Sequence, residues 1–596
     1  MPRRNHVSTT IEVNKKSVKQ LLESGKEQRF VIPEYQRPYE WTDEHIQTLF
    51  DDLTEYTKND NESTYFLGTI VSFLNSDHEQ EIIDGQQRIT SLFLLLRALY
   101  AKLCTMTETK EVKNFKSQIE SALWEQEELT ADVDFEKPLI TSKVMGEEGN
   151  MIFANILTKG TVQPKAKDNY SKNFLLFKEL IESYATSEPE LFYWFIRNTL
   201  TKAILLPITA DSQDTALTIF STLNDRGLAL SDADIFKAKI YNHLDEKGKK
   251  EFIEHWRILD ETATGAGESI QRLFYYYMFY LRALENDRDT TTPGLRKYYA
   301  RNSFEKLYDT EVMNNLSILL NLWIAINNRE EIVGESWTRD TKIKQTLDAI
   351  SSYPNEFWKY PVVIFYLKYR DTEKFDDLFL VFLRKLLADL AARYIITPTI
   401  NAVKRGILNL NADIINSPNP QFSFSFIDTN ELKEKIKNPH RSIVRVLLKI
   451  LAYQHQTNML PNNWEVEHIL PQKWQSSYFP SVPEMEIKEL IDHIGNKIPF
   501  EKKLNIIAGN GYFAKKQASY AETEVEILHA ISTQHNSWGL DEIRERDIRI
   551  SDELLKVLSQ WGLNQASGLP SEQQAQNATP DELQLIESFR KRGLIQ

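Results

Sequence analysis

The chain has 596 residues, 41% of them hydrophobic, and a formal net charge of −14 from 71 Lys and Arg against 85 Asp and Glu. At roughly 100–200 residues per domain this length predicts about three or four domains, and the acidic balance argues against a uniformly basic nucleic-acid coat protein. The single cysteine, Cys104, excludes a disulfide framework and a zinc site built from cysteines, and no segment is apolar enough for a membrane span, so we expect a cytoplasmic protein.

The chain begins with a mixture of short strands and helices. Strand patterns occur at 29–33, 65–74 and 79–85, and Thr42 is the predicted N-cap of a helix between the first two. The segment QQRITSLFLLLRALYAKL at 86–103 is apolar on nearly every face. A helix with that pattern is expected to lie buried in the centre of a domain.

Arg88 stands where this apolar helix begins, in the stretch IIDGQQRIT at 82–90. The amino end of a helix carries partial positive charge and unpaired N–H groups. A cation at that position is mildly unfavourable unless an anion arrives there. The stretch therefore predicts a phosphate-bearing ligand near Arg88.

The segment IPEYQRPYEW at 32–41 combines two prolines, three aromatic residues and an arginine. Prolines stiffen the backbone, and a rigid aromatic wall beside a guanidinium would suit a planar base or a sugar-phosphate. The alternative is a proline-anchored loop that covers the core. The candidate substrate-contacting residues are Tyr35, Gln36, Arg37, Tyr39 and Trp41.

The central part of the chain is predicted to be mainly helical. A strand pattern at 203–209 precedes two helical runs around an NDRG loop, and Ser231 with Asp234 resembles a capping box that opens the second run. Amphipathic helices then fill about 250–445, where the aromatic residues at 271–284 have the spacing of a helical core rather than of a base-stacking platform.

These patterns predict an α+β protein that is predominantly helical. The expected divisions are an α/β domain with helical insertions at 1–245, a helical middle domain at 246–445, a further domain at 446–562, and a polar linker with a short helix at 563–596.

The stretch VEHILPQKW places Glu467 and His468 at the end of a predicted strand, followed by a proline turn. Asn496 and Asn505 come next along the chain, followed by a helix that carries Lys515 and Lys516. This order resembles the ββα-metal, or HNH, nuclease motif.

The chemistry of phosphodiester cleavage fits that resemblance, because it needs a base for water and a divalent cation at the leaving oxygen. His468 would be the base. Glu467 and Asn505 would bind one Mg²⁺ or Mn²⁺ through oxygen ligands, which hard cations prefer.

The other polar residues of this motif have supporting roles in the same interpretation. Asn496 would orient the histidine or bridge the loop, and Lys515 or Lys516 would contact phosphate. Spacing alone leaves His493 and Asn510 open as alternative ligands.

Together, IPEYQRPYEW, YFLGTIV, IIDGQQRIT and FSTLNDRGLALSDADIFKAK resemble the GmrSD-type family of modification-dependent restriction proteins, and EHILPQ with its following asparagines resembles the HNH half of that family. The resemblance implies that the DGQQR segment belongs to a ParB/sulfiredoxin-like domain that binds and hydrolyses nucleoside triphosphate. The matching residues are Asp84, Gly85, Gln86, Gln87 and Arg88.

In this interpretation Arg88 faces nucleotide phosphate, Asp84 helps to place Mg²⁺ or water, and the glutamines position polar groups. The implied protein is a type IV restriction endonuclease of phage defence that hydrolyses GTP, CTP, UTP or ATP and cuts modified double-stranded DNA. Relatives sense hydroxymethylated or glucosylated cytosine or a phosphorothioate backbone. Homodimer formation stays open. The rival hypotheses are a nucleotide-dependent DNA clamp or regulator with a non-catalytic HNH-like domain, and a helical adaptor.

Overall fold

The computed structural model describes residues 12–59, 64–144, 146–163, 166–213, 215–217, 219, 231–475 and 478–565. These residues form a mixed α+β protein that is mostly helical, which confirms the predicted fold class at that level. The chain divides into two compact units, residues 1–254 and 255–596. The NDRG loop at 224–227 and the tail at 566–596 lie outside the described residues.

A seven-stranded mixed sheet forms the centre of the first unit. The strands of this unit are β1 (Glu12–Val13), β2 (Lys16–Ser17), β3 (Phe30–Ile32), β4 (Tyr65–Leu74), β5 (Gln80–Asp84), β6 (Trp124–Gln126), β7 (Val133–Pro138), β8 (Ile140–Ser142) and β9 (Ala203–Ala210).

The order in the sheet is β1-β9-β4-β5-β3-β8, and β2 also pairs with β9. Strand β4 runs parallel to β9 and antiparallel to β5, while β3 runs parallel to both β5 and β8. Strands β6 and β7 form a separate antiparallel pair.

Helices cover the sheet of the first unit. They are α1 (Val18–Glu23), α2 (Asp43–Lys58), α3 (Gln86–Thr105), α4 (Lys110–Leu123), α5 (Gly146–Lys159), α6 (Asn169–Ser187), α7 (Pro189–Thr201) and α8 (Asp232–His243).

Helix α3 lies at the centre of the main hydrophobic core of this unit, where it packs against α4, α5 and α6. Its side chains from Ile89 to Leu99 are buried all round the helix, which confirms the prediction of a central helix. A second, smaller core contains Val71 and Ile83 of the sheet and Ala238 of α8. The turn between β5 and α3 therefore joins two elements that are both packed into a hydrophobic core.

The second unit is mainly helical. Helix α9 (Glu246–Gly265) contains the division between the units. The remaining helices are α10 (Ile270–Leu284), α11 (Leu295–Tyr299), α12 (Val312–Asn327), α13 (Thr341–Ser351), α14 (Lys359–Tyr369), α15 (Phe375–Ile396), α16 (Asn401–Asn416), α17 (Thr429–Lys437), α18 (Val444–His455), α19 (Glu484–Ile491), α20 (Lys502–Ala508), α21 (Phe513–Ala521), α22 (Glu526–Gln534) and α23 (Leu540–Gln560).

Two strands of the second unit, β10 (Trp464–His468) and β11 (Lys497–Glu501), pair antiparallel. Helix α23 packs against α15, α17 and α18 and also against α19, which follows β10 in the chain. Residues on both sides of the predicted boundary at 445 therefore belong to one compact unit.

Local sequence signals gave several of these elements correctly. Thr42 is the N-cap of α2, and Ser231 and Asp234 form the predicted capping box at the start of α8. The aromatic side chains of α10, such as Phe274 and Tyr276, are buried as a helical core predicts. Strands β6, β7 and β8 have no counterpart among the predicted strands. None of the helices in the described part of the chain is long and apolar enough to cross a bilayer.

We expect Leu96→Ala in α3 to destabilise the first unit by about 2–5 kcal/mol, because Leu96 is fully buried and its truncation leaves a cavity. The matched control is Leu175→Ala in α6, whose side chain is 51% exposed; its effect should stay within about 0.5 kcal/mol. Hydrogen exchange of peptides from α3 in the full chain measures both. Equal protection in the two variants would contradict the central position of α3.

Candidate functional sites

The turn between β5 and α3 requires glycine. Gly85 is the N-cap residue of α3 at a φ of 86°, in the left-handed region. A Cβ atom at this position would lie 2.3 Å from Ile70 Cδ1 and 3.0 Å from the Thr69 carbonyl oxygen. Gly85 therefore allows the first turn of α3 to start directly at the end of β5, with no side chain capping its N–H groups.

Arg88 lies over the adjacent strand β4. Its Nη1 donates a hydrogen bond to the Thr69 carbonyl oxygen at 2.7 Å. A Cβ atom on Gly68 would lie 2.9 Å from the guanidinium carbon, so the glycine makes room for the arginine.

Asp84 and Arg88 influence each other electrostatically. Burial raises the pKa of Asp84 and the charge of Arg88 opposes that rise; burial lowers the pKa of Arg88 and Asp84 opposes that change. Asp84 is thus an acidic partner of Arg88 near the amino end of α3. The inference that Arg88 by itself requires an external phosphate is therefore weakened.

The two glutamines of the motif have different surroundings. The Gln87 side chain accepts hydrogen bonds from the Glu40 and Trp41 backbone N–H groups and donates one to the Pro38 carbonyl oxygen. Gln87 therefore holds the 32–41 segment in place. Gln86 is buried, and its Oε1 has no hydrogen-bond partner among the described residues.

Much of the 32–41 segment points into the first unit. Tyr35 is buried and donates a hydrogen bond to Glu81, and the buried Tyr39 hydroxyl lies 2.6 Å from Ser91 Oγ. Gln36 is also buried and donates to the Ile83 carbonyl oxygen. The expectation of an open aromatic wall is corrected here, because Tyr35 and Tyr39 are buried inside the unit. This burial agrees with the alternative prediction of a loop that covers the core. Direct contact of Tyr35, Gln36 or Tyr39 with the substrate therefore lacks support.

Arg37 and Trp41 are the two candidate residues of this segment that remain partly exposed. Arg37 lies 3.7 Å from Glu40 and 3.9 Å from Asp234, and Trp41 stacks on His45 with ring centroids 5.7 Å apart. Trp41 and Arg88 both line a cavity of about 410 Å³, together with His45, Asp52, Tyr65 and Phe66. This cavity brings together one residue from each of the two amino-terminal motifs.

In the second unit, strand β10 ends at the second candidate site. In its antiparallel pair with β11, Glu467 is opposite Ile498 and His468 is opposite Lys497. Helix α20 follows β11 directly and carries Asn505. A cavity of about 250 Å³ is lined by Glu465, Glu467, His468, Asn505, Asn510 and Lys516. The structure therefore brings together the predicted base and both predicted metal ligands.

Glu467 is held by two donors from α21. Its Oε1 accepts a hydrogen bond from Lys516 Nζ at 2.5 Å and from the Tyr520 hydroxyl at 2.6 Å. Lys516 also donates to the His468 carbonyl oxygen, and its side chain is only 2% exposed. The Lys516 ammonium is thus buried against the end of β10, so the geometry favours a structural role, and its predicted phosphate contact stays a prediction. Lys515 is exposed, and its phosphate contact stays a prediction.

His468 is mostly buried but reaches the cavity. Its Nε2 lies 3.3 Å from Gln472 Nε2 and 3.8 Å from Asp492 Oδ1. Burial and the nearby positive charge of Lys497 lower the pKa of His468 to about 4, although Asp492 opposes this shift. The imidazole is therefore neutral at pH 7 and can accept a proton.

Asn496 is a positioning residue. It is fully buried, and its amide accepts a hydrogen bond from the Leu470 N–H and donates to the carbonyl oxygens of Leu470 and Ile491. These bonds hold the loop that follows His468. Of the two predicted roles, the geometry favours the loop bridge, because the described hydrogen bonds of the Asn496 side chain all go to backbone groups of the surrounding loops.

The alternative ligands are less favourable. His493 Nδ1 lies 2.6 Å from Asp547 Oδ2, so this carboxylate holds the ring on α23. Asn510 lines the cavity, but its Nδ2 donates to the Lys473 carbonyl oxygen.

Three residues of this site were not among the predicted ones, namely Glu465, Asp492 and Tyr520. Two of them had a signal: Glu465 lies two residues before Glu467, on the same face of the strand, and Tyr520 lies four residues after Lys516, on the same face of the helix. Asp492 had none, because only folding brings it near His468.

The residues at this cavity fit a divalent cation with oxygen ligands. Among the described hydrogen bonds none engages Glu467 Oε2, and Asn505 has an amide oxygen. Within the described ranges no group of three or more His, Cys, Asp and Glu side chains could hold a metal ion. A two-ligand set of this kind matches Mg²⁺ or Mn²⁺, which retain several waters, rather than zinc.

Comparison with known families covers both units. Residues 18–241 match the family model of the GmrSD restriction endonuclease N-terminal domain, and residues 421–553 match that of the GmrSD restriction endonuclease C-terminal domain. The first match contains Arg88 and Trp41, and the second contains the cavity at His468. No curated protein matches the chain.

We expect Lys516→Met to lower the free energy of unfolding of the second unit by about 3–5 kcal/mol, because it leaves the Glu467 carboxylate buried without its charged partner. The adjacent Lys515→Met is the control and should change stability by less than about 0.5 kcal/mol, since Lys515 is exposed. Urea unfolding of the full chain, followed by hydrogen exchange of α21, distinguishes them. Equal stabilities would contradict the structural role of Lys516.

Proposed function

Because the chain belongs to the GmrSD restriction endonuclease family, we propose that it cuts modified double-stranded DNA at the cavity around His468 and hydrolyses nucleoside triphosphate at the amino end of α3. The observation that carries the nuclease proposal is the convergence of Glu467, His468 and Asn505 on one cavity. The antiparallel pair of β10 and β11, with β11 followed directly by α20 and then by α21, supports an HNH, or ββα-metal, arrangement.

His468 is the proposed general base. A neutral imidazole in hydrogen-bonding reach of a water molecule can remove a proton as the water attacks phosphorus. Asn496 fixes the loop after His468, and the backbone pairing of His468 with Lys497 fixes the end of the strand. His468 is thus positioned by the paired strand β10 and by the loop that Asn496 fixes.

Glu467 and Asn505 are the proposed ligands of one Mg²⁺ or Mn²⁺. Lys516 and Tyr520 orient Glu467 through Oε1, which leaves Oε2 for the cation. When bound, the cation would stabilise the negative charge that develops on the leaving oxygen. Water and a phosphate oxygen would complete its coordination.

Cations near the cavity would contact the DNA backbone. Lys502, Lys503 and Lys515 are exposed on α20 and α21, so a local positive surface exists in a chain whose net charge is −14. Such contacts position the duplex without reading its sequence. The acidic balance of the whole chain therefore remains compatible with DNA as the substrate.

The nucleotide proposal rests on the first turn of α3. Uncapped N–H groups after Gly85 can donate to phosphate oxygens, and Arg88 lines the adjacent 410 Å³ cavity with Trp41. Asp84 would place Mg²⁺ or water beside the phosphates. Gln87 supports this site indirectly, through the backbone of the 38–41 segment.

Arg37 and Trp41 are the remaining candidates for contact with modified DNA, since both are partly exposed.

The experiment that tests the whole proposal is a cleavage panel. The full chain with Mg²⁺ is incubated with plain, hydroxymethylated, glucosylated and phosphorothioate DNA, with and without GTP, CTP, UTP or ATP. Cleavage of a modified DNA alone supports the proposal. Triphosphate hydrolysis without cleavage of any DNA would favour the clamp hypothesis.

We expect His468→Ala to reduce the rate of DNA cleavage by about 10²–10⁴-fold, because it removes the general base. Triphosphate hydrolysis should persist. His529→Ala, a substitution on α22 outside the cavity, is the matched control and should leave cleavage unchanged. Nicking of supercoiled DNA measures the rates, and unchanged nicking by the His468 variant would refute the base assignment.

We expect Asp84→Asn and Arg88→Met each to abolish most triphosphate hydrolysis, because both residues lie at the amino end of α3. Arg29→Met is the control: Arg29 pairs with Glu125 at the surface of the same unit, away from the 410 Å³ cavity. Release of inorganic phosphate gives the turnover. Ordinary turnover in both motif variants would reject the nucleotide site.

A further inference from the structure

We propose that Glu465 is a positioning residue that orients Asn505 for divalent cation binding. Glu465 Oε2 accepts a hydrogen bond from Asn505 Nδ2 at 3.2 Å, and both residues line the cavity at His468. This inference rests on the proposed metal site and assigns a role to a carboxylate that lies outside the EHILPQ motif.

The chemistry of the two groups fixes the orientation of the amide. An ionised carboxylate has acceptors only, so it can face only the NH₂ end of an asparagine. The amide oxygen Oδ1 of Asn505 must then point away from Glu465. Without such a partner the amide can rotate and present its NH₂ group, which a cation repels.

Short chain segments hold the two residues in register. Glu465 is paired with Phe500 in the β10–β11 ladder, and Asn505 lies in α20, which begins directly after β11. Lys502, the first residue of α20, lies 3.8 Å from Glu465 Oε1, and Arg445 also interacts electrostatically with this carboxylate. The Glu465–Asn505 contact therefore joins the strand to the helix that carries the proposed ligand.

Glu465 and Glu467, on one face of β10, would thus have different roles at the cation site. Glu467 is itself a ligand and is oriented by Lys516 and Tyr520. Glu465, two residues earlier, orients the second ligand instead. Partners of this kind around metal ligands typically change metal affinity by about 10–100-fold when they are removed.

The test measures Mn²⁺ binding to the full chain by electron paramagnetic resonance, so it does not depend on catalysis. We expect Glu465→Leu to weaken Mn²⁺ binding by about tenfold. Glu465→Gln retains an acceptor for Asn505 Nδ2 and should lose much less. Glu465→Leu with Asn505→Asp should recover the affinity, because both oxygens of an aspartate can bind the cation in either orientation.

Glu489→Leu is the matched control, since it makes the same substitution at an exposed position of α19 that does not line the cavity. It should leave Mn²⁺ affinity unchanged, and circular dichroism would establish that each variant is folded.

Equal affinity in Glu465→Leu and the unsubstituted chain would overturn the inference while leaving the metal site intact. An equal loss in the Leu and Gln variants would also overturn it, because charge alone would then be responsible. Absence of saturable Mn²⁺ binding in the unsubstituted chain would reject the metal site and the inference together.

Discussion

The carboxyl-terminal cavity depends on the buried ion pair between Glu467 and Lys516. Removing a carboxylate and an ammonium from water costs several kcal/mol for each group, and only a close contact with additional hydrogen bonds offsets that cost. Tyr520 and the His468 carbonyl oxygen provide those bonds. The pair thereby ties the end of β10 to α21, and it fixes the backbone at the residue that carries the proposed base.

The same requirement, that buried polar groups find partners, explains the second support of this site. Asn496 satisfies three backbone groups of the surrounding loops through one amide. An apolar side chain of similar size would leave those groups unpaired. The cavity can therefore contain polar residues in fixed positions, although the strand end, loops and two helices that line it are short.

In the first unit, the equivalent constraint is steric. Glycine is the only residue type that fits at position 85, between β5 and α3, without backbone strain or a clash with Ile70. At position 68, glycine leaves room for the Arg88 side chain. Helix α3 then holds this turn in place, because the side chains of the helix are buried in the core on all sides. The amino end of α3 and the guanidinium of Arg88 are thus held by a helix whose following turns are buried on all sides.

The amino-acid sequence is sufficient to predict the mixed, mainly helical fold class, the long strands β4 and β9, the buried helix α3, the caps at Thr42 and Ser231, and the proposed base and metal ligands that meet at the His468 cavity. These features follow from periodicity and residue type over short distances along the chain. The tertiary structure decided the exposure and the partners of individual polar side chains. It buried Tyr35, Tyr39, Asn496 and Lys516, and it placed Glu465 beside Asn505. It also added strands β6, β7 and β8, which are short and acquire their hydrogen bonds only from pairing. Such outcomes depend on contacts between residues far apart in the chain, and local patterns do not contain them.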